Sequence, residues 1–194
     1  MKFKSIKKIH QGKFITRYDI EYETASGKPK VYEMISRNPE IDSFDKLHDG
    51  HVDAVVMILH DKTGEQILLS REFRMATGEW VYNFPAGLID RGEDAASAAT
   101  RELREETGLN LDHIEEIWFE SYSAVGFSNE KNIVITGEAS GEIRPSDSEV
   151  EEIEAFWYTK AEIRALLKAA RFAARTQAYC ALWSREQGKI LKNT

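Results

Sequence analysis

The chain has 194 residues, enough for one domain with an appendage and a proper buried core. It is 42% hydrophobic and 30% charged, as ordinary soluble globular proteins are, and no stretch is long and apolar enough to span a membrane. A formal charge of −7 with no basic run to offset it argues against broad contact with nucleic acid.

The opening MKFKSIKKIH lacks the apolar core of a signal peptide. From 14 to 23 the side chains alternate, with Phe14, Thr16, Tyr18, Ile20 and Tyr22 on one face and Arg17, Asp19, Glu21 and Glu23 on the other. That period of two predicts a strand. ASGKP at 25–29 supplies a turn and VYEMISR at 31–37 returns as a second strand, making a hairpin that must pack on something. Residues 38–50 read as a polar loop, so a boundary near 45 separates an N-terminal β region, 1–45, from a main domain, 46–194. HVDAVVMILHD and ILLSREFR, joined by a KTGEQ turn, are apolar enough for central strands of a mixed sheet. Arg71 and Arg74 stand towards the end of the second strand. Residues 80–84 form another short strand that leads into a tight turn at Pro85-Ala86-Gly87.

No Gly or Pro interrupts 93–107, a run rich in Ala, Glu, Leu and Arg that stops at Gly108, so a helix with a glycine C-cap is expected. Glu102, Glu105 and Glu106 fall within an arc of roughly 100° on it, while Ala95, Ala99 and Leu103 lie on the adjoining arc and can pack on a sheet. Carboxylates spaced i, i+3 and i+4 repel one another unless something cationic sits between them, and hard divalent ions take such oxygen ligands. A solvated acidic face is the alternative. Strands follow after residue 113 and over 131–140. An acidic loop from 144 then leads into a strand over 153–158. Thr159 and Glu162 make a capping box for a helix to about Ala169, and a second helix runs over roughly 172–187 to Gly188 with Tyr179, Leu182 and Trp183 as its apolar stripe. The single cysteine, Cys180, reads as a packed thiol, and its lack of a partner suits a reducing cytoplasm.

Gly87, Glu93, Arg101-Glu102-Leu103, Glu105-Glu106 and Gly108-Leu109 stand at the spacing of the Nudix box without a gap. Over about residues 45 to 160 the chain resembles Nudix hydrolases, which hydrolyse nucleoside diphosphates linked to another moiety. The resemblance implies an α+β Nudix fold, a mixed β-sheet sandwiched between helices, with the N-terminal antiparallel sheet beside it. It implies Mg²⁺ or Mn²⁺ held by Glu102, Glu105, Glu106 and the Ala86 carbonyl, with Glu93 orienting the loop and Arg101 anchoring carboxylates. The general base would be Glu149 or Glu151, unless a box glutamate takes that part.

Within the family the chain is similar to ADP-ribose pyrophosphatases. Arg74 matches the arginine that contacts substrate there, and Arg71, Arg37, Leu88 and Glu130 are further candidates for substrate contact. The expected products from ADP-ribose are AMP and ribose 5-phosphate. The resemblance also implies a homodimer through the N-terminal sheet and a small-molecule partner, with neither nucleic acid nor membrane involved. Two positions depart from the pattern: Asn83 replaces a usual glutamate, and Val125 replaces the proline of a common Ser-Pro-Gly. The first leaves the metal count open. The second keeps other nucleoside diphosphate sugars, NADH and dinucleoside polyphosphates in play. A non-catalytic ADP-ribose-binding sensor is the rival from another class, and the intact box speaks against it.

Overall fold

A computed structural model describes residues 1–49, 51–148 and 150–185. In chain order the first elements are β1 (Lys2–Gln11), β2 (Thr16–Glu23), β3 (Pro29–Ser36), α1 (Phe44–Leu47), β4 (Ala54–His60), β5 (Gln66–Arg74), β6 (Glu79–Asn83) and β7 (Ala86–Leu88). Then come α2 (Ala95–Thr107), β8 (Asn110–Ile117), β9 (Ser121–Tyr122), β10 (Lys131–Ser140), β11 (Ile153–Thr159), α3 (Lys160–Ala169) and α4 (Ala174–Trp183). They divide into two compact units: Met1–Asp53 with Glu120–Ile133, and Ala54–Phe119 with Val134–Thr194.

The first unit holds an antiparallel sheet of order β1-β2-β3. Its β2–β3 pair is the hairpin expected from the alternation, in a register that sets Tyr18 opposite Met34. Thr16, Tyr18 and Ile20 are buried, whereas Phe14 precedes the strand and is exposed. Strand β1 was hidden in the sequence. Only its Phe3 and Ile6 pack on the core, and Lys2, Lys4, Lys7 and Lys8 mask the period. Helix α1 stands where a loop was expected. Ser43 caps it by accepting from the Lys46 amide, and Ile41 and Leu47 close the small core.

In the second unit the strands of the mixed sheet run in the order β11-β5-β4-β10-β8, with β6 beside β5 and β7 beside β4. Val56, Ile58, Ile67, Leu69 and Phe84 form one core with Ile163 of α3 and Cys180 of α4. Alternation turns Val55, Met57, Leu59 and Leu68 to the opposite face, where α2 buries Ala98, Ala99 and Leu103. The sheet therefore lies between helices. Each fully buried aliphatic side chain in it contributes about 1.5–3 kcal/mol.

Three expectations give way to the structure. Pro85-Ala86-Gly87 is no tight turn, because Ala86–Leu88 pairs antiparallel with Ala54–Val56 and stays extended. Helix α4 starts at Ala174 rather than Phe172, because the preceding segment adds to the sheet: Tyr82 N–H donates to the Arg171 carbonyl and Ala173 N–H to that of Tyr82. Leu182 is exposed and does not join the stripe of Tyr179 and Trp183, and the expected stop at Gly188 lies outside the described residues.

Candidate active site on helix α2

Helix α2 is fixed at both ends by its own sequence. The Asp94 side chain accepts from the Ser97 amide at 2.8 Å, and Gly108 takes the left-handed φ of 76° that a side chain would resist. With Ala98, Ala99, Leu103 and Thr107 buried, the helix sets the Glu102 carboxylate against Gly87 of β7.

The cation that pairs with Glu102 and Glu105 comes from the same helix. Arg101 Nη1 donates to Glu102 Oε1 at 2.8 Å and to Glu105 Oε2 at 3.3 Å. Its Nη2 donates to Glu93 Oε2 at 2.8 Å and to the Leu88 carbonyl at 2.9 Å. Glu93 Oε2 also accepts from the Asp90 amide at 3.1 Å, so one guanidinium ties residues 88–93 to the helix. The hydrogen bonds that Arg101 donates to Glu93 lower the carboxyl pKa and raise the guanidinium's. Leu88 enters this network through its carbonyl, with its side chain exposed.

Glu106 is half-buried, with one carboxylate oxygen enclosed. Burial first, then the charges of Glu102 and Glu72, push its pKa up to about 8, while the Ala86 amide pulls the other way. Its Oε2 is buried and has no hydrogen-bond partner among the described residues. Burial also raises Glu102, against the pull of Arg101. Glu102 lies directly on Gly87: a Cβ built there would be 1.9 Å from the Glu102 Cδ, so only glycine lets strand and carboxylate meet.

No group of three or more His, Cys, Asp or Glu side chains among the described residues stands close enough to share an ion. Glu105 reaches back to Arg101 and is half exposed. The remaining donors still fit a hard divalent cation. An unpartnered buried carboxylate oxygen, a second carboxylate beside it and an all-oxygen set are what Mg²⁺ or Mn²⁺ takes.

Strand β5 sorts the two arginines. Glu72 and Arg74 share one face, Glu72 is close enough to raise Glu106, and the Glu72 carboxylate accepts from Arg74 Nη1. Arg71 points the other way, with its guanidinium 4.5 Å from the Trp80 ring centroid and 3.2 Å from Glu154. The charge of Glu151 acts on both Glu102 and Glu106, whereas Glu149 lies outside the described residues. In the first unit, Arg37 Nε donates to Glu130 Oε2 at 2.9 Å, and Ser123 Oγ donates to Glu130 Oε1 at 2.7 Å. Val125 of the same loop is exposed. Asn83 serves α4 instead of the carboxylate cluster: its Oδ1 accepts from Thr176 Oγ1 at 2.9 Å, and that hydroxyl accepts from the Phe84 amide. Sequence reasoning missed Glu72, although the period of two in ILLSREFR sets it on the face of Arg74.

A sequence profile of the family described as NUDIX domain matches residues 50–180. The chain is 30% identical over 153 residues to the ADP-ribose pyrophosphatase of Saccharomyces cerevisiae, covering 77% of this chain and 63% of that protein. It is 29% identical over 142 residues to the ADP-sugar pyrophosphatase of Mus musculus, covering 71% and 62%. The match thus spans less than two thirds of either relative's length. Among solved structures, a crystal structure of an ADP compounds hydrolase superposes with a TM-score of 0.71 at 21% identity, covering 98% of both chains. No helix among the described residues is long and apolar enough to cross a membrane.

Proposed function

The chain belongs to the Nudix family, and we propose that it hydrolyses the diphosphate bond of ADP-ribose or a related nucleoside diphosphate sugar, giving AMP and a sugar phosphate. The observation that carries this reading is Glu106, a carboxylate with one buried and unpartnered oxygen, one helical turn from Glu102 on the bare face of Gly87. The names of the yeast and mouse relatives support the substrate class.

Glu102, Glu106 and the Ala86 carbonyl would hold Mg²⁺ or Mn²⁺, joined by Glu105 once its carboxylate turns from Arg101. A bound cation of this kind neutralises phosphate charge and acidifies a water molecule. Arg74 is the residue for a diphosphate oxygen, since its guanidinium lies on the carboxylate face of β5. Glu151 takes the proton of the attacking water, and its charge already acts on both site glutamates. Arg101 and Glu93 hold residues 88–93 against the helix, which keeps the Ala86 carbonyl and the glutamates in register. A second reading, with another nucleotide as substrate, rests on Val125 standing in place of the expected proline.

Two copies pair through the first unit. An apolar recess of about 570 Å³ there, lined by residues such as Tyr22, Tyr32, Tyr122, Val125 and Phe127, supports this. The buried lone thiol of Cys180 suits a reducing cytoplasm.

The test is a substrate panel of ADP-ribose, other nucleoside diphosphate sugars, NADH and diadenosine polyphosphates, each with Mg²⁺ or Mn²⁺ and then with chelator. ADP-ribose should yield AMP only when the cation is supplied. Glu106→Gln should lower kcat by roughly a hundredfold or more with the melting temperature kept. Wild-type turnover by that variant, or silence across the whole panel, would sink the reading.

A further inference from the structure

We propose that Glu72 is a positioning residue, whose carboxylate holds the Arg74 guanidinium on the Glu106 face of β5 and so presets the group that grips the diphosphate. This inference rests on the reading of the site given above. Arg74 closes β5 just before a turn in which the Thr77 and Gly78 amides both donate to its carbonyl. Its side chain is 54% exposed and would otherwise wander among rotamers. Glu72 is the opposite, with a side chain 16% exposed on a strand bonded along both edges. Val81 of β6 lies across from it on one side and Ile153 of β11 on the other, and the Phe73 amide is bonded to the Glu152 carbonyl at 3.0 Å. A fixed carboxylate thus anchors a loose guanidinium two residues on, where side chains of a strand share a face.

A guanidinium carries five N–H donors, and the Glu72 contact engages only Nη1, so donors remain for phosphate oxygens. Glu72 also stands among acids, facing Glu106, and without Arg74 its charge would repel an anionic substrate. The contribution of Glu72 therefore runs through Arg74. Were the arginine placed by other means, removing Glu72 would improve substrate binding instead of weakening it.

A double-mutant cycle decides. KM and kcat for ADP-ribose with saturating Mg²⁺ are measured for wild type, Glu72→Gln, Glu72→Ala, Arg74→Ala and the double Glu72→Ala/Arg74→Ala chain. Calorimetric titration with ADP and Mg²⁺, and thermal melting, accompany each. Glu72→Ala should raise KM and weaken ADP about tenfold with kcat within about threefold, the loss expected when one side chain must be immobilised by the substrate itself. Arg74→Ala should do at least as much. The double chain should match Arg74→Ala within about twofold, and Glu72→Gln should recover most of the loss because its amide oxygen still accepts from the guanidinium. Multiplying losses in the double chain, unchanged or tighter ADP binding by Glu72→Ala, or a loss confined to kcat would each overturn the proposal. If wild type hydrolyses no nucleotide sugar yet binds ADP with this order of affinities, the functional reading falls and the positioning role stands. A wild type that does not bind ADP overturns the positioning role.

Discussion

Gly87 is the residue at which one methyl group would matter most. Its missing side chain is filled by the Glu102 carboxylate, so Gly87→Ala must push that carboxylate off β7. Overpacking of this kind costs about 1–3 kcal/mol, a loss that a well-folded chain survives. The expected outcome is kcat for ADP-ribose down by roughly two orders of magnitude and weaker Mn²⁺ binding by paramagnetic resonance, with the far-ultraviolet dichroism unchanged. Wild-type Mn²⁺ affinity in that variant would show that Glu102 is not a ligand. The sequence marks Gly87 by its distance from Glu93 and Glu102, but not the reason for a glycine. That reason needs the strand and the helix brought together.

At the scale of elements, the telling contact is the docking of α4 on β4. His60 Nδ1 lies 3.2 Å from the Gln66 carbonyl and Nε2 3.3 Å from the Tyr179 hydroxyl, with the Trp183 ring tilted at 40° and its centroid 5.4 Å away. A carbonyl only accepts, so Nδ1 carries a proton; burial disfavours the charged ring, and in the neutral ring Nε2 accepts from the Tyr179 hydroxyl. Burial lowers the His60 pKa, Lys160 adds to the effect, and the Gln66 carbonyl, Glu115 and Asp61 oppose it. A folded-state pKa below the unfolded one means that the unfolded chain binds more protons, so stability is present above about pH 6.5 and is lost as pH falls. The melting temperature should therefore drop as the pH falls below about 6.5, and by less in His60→Gln. Parallel pH curves for the two chains would show that the ring does not govern docking. None of this was legible beforehand, because His60 and Tyr179 are 119 positions apart.

For the whole molecule, the expected state in solution is a pair. Wild type should sediment as two copies, and Val125→Glu, which places a charge in the apolar recess of the first unit, should shift it towards one. Val125 is 76% exposed in the single chain, so the substitution leaves the fold of each copy intact. A wild type that sediments as one copy at every concentration would remove the pairing from the reading. The net charge of −7 sharpens the demand on the site, since the proposed nucleotide substrate is anionic and calls for local cations such as Arg74.

The hairpin of β2 and β3, the central strands, α2 with its caps and the capping box at Thr159 could all be read from the chain, because each is set by periodicity and by neighbours within a few residues. The glutamate constellation was legible for the same reason, lying within one helix. Strand β1, helix α1 and the extended pairing of Ala86–Leu88 were decided only by packing, which supplied partners that local sequence does not name. So too were the separation of Arg71 from Arg74, the outward turn of Glu105 and the place of Glu72. Which face of a strand looks at which helix is settled by the sheet's register, and a carboxylate oxygen such as Glu106 Oε2 is enclosed only once the layers have closed.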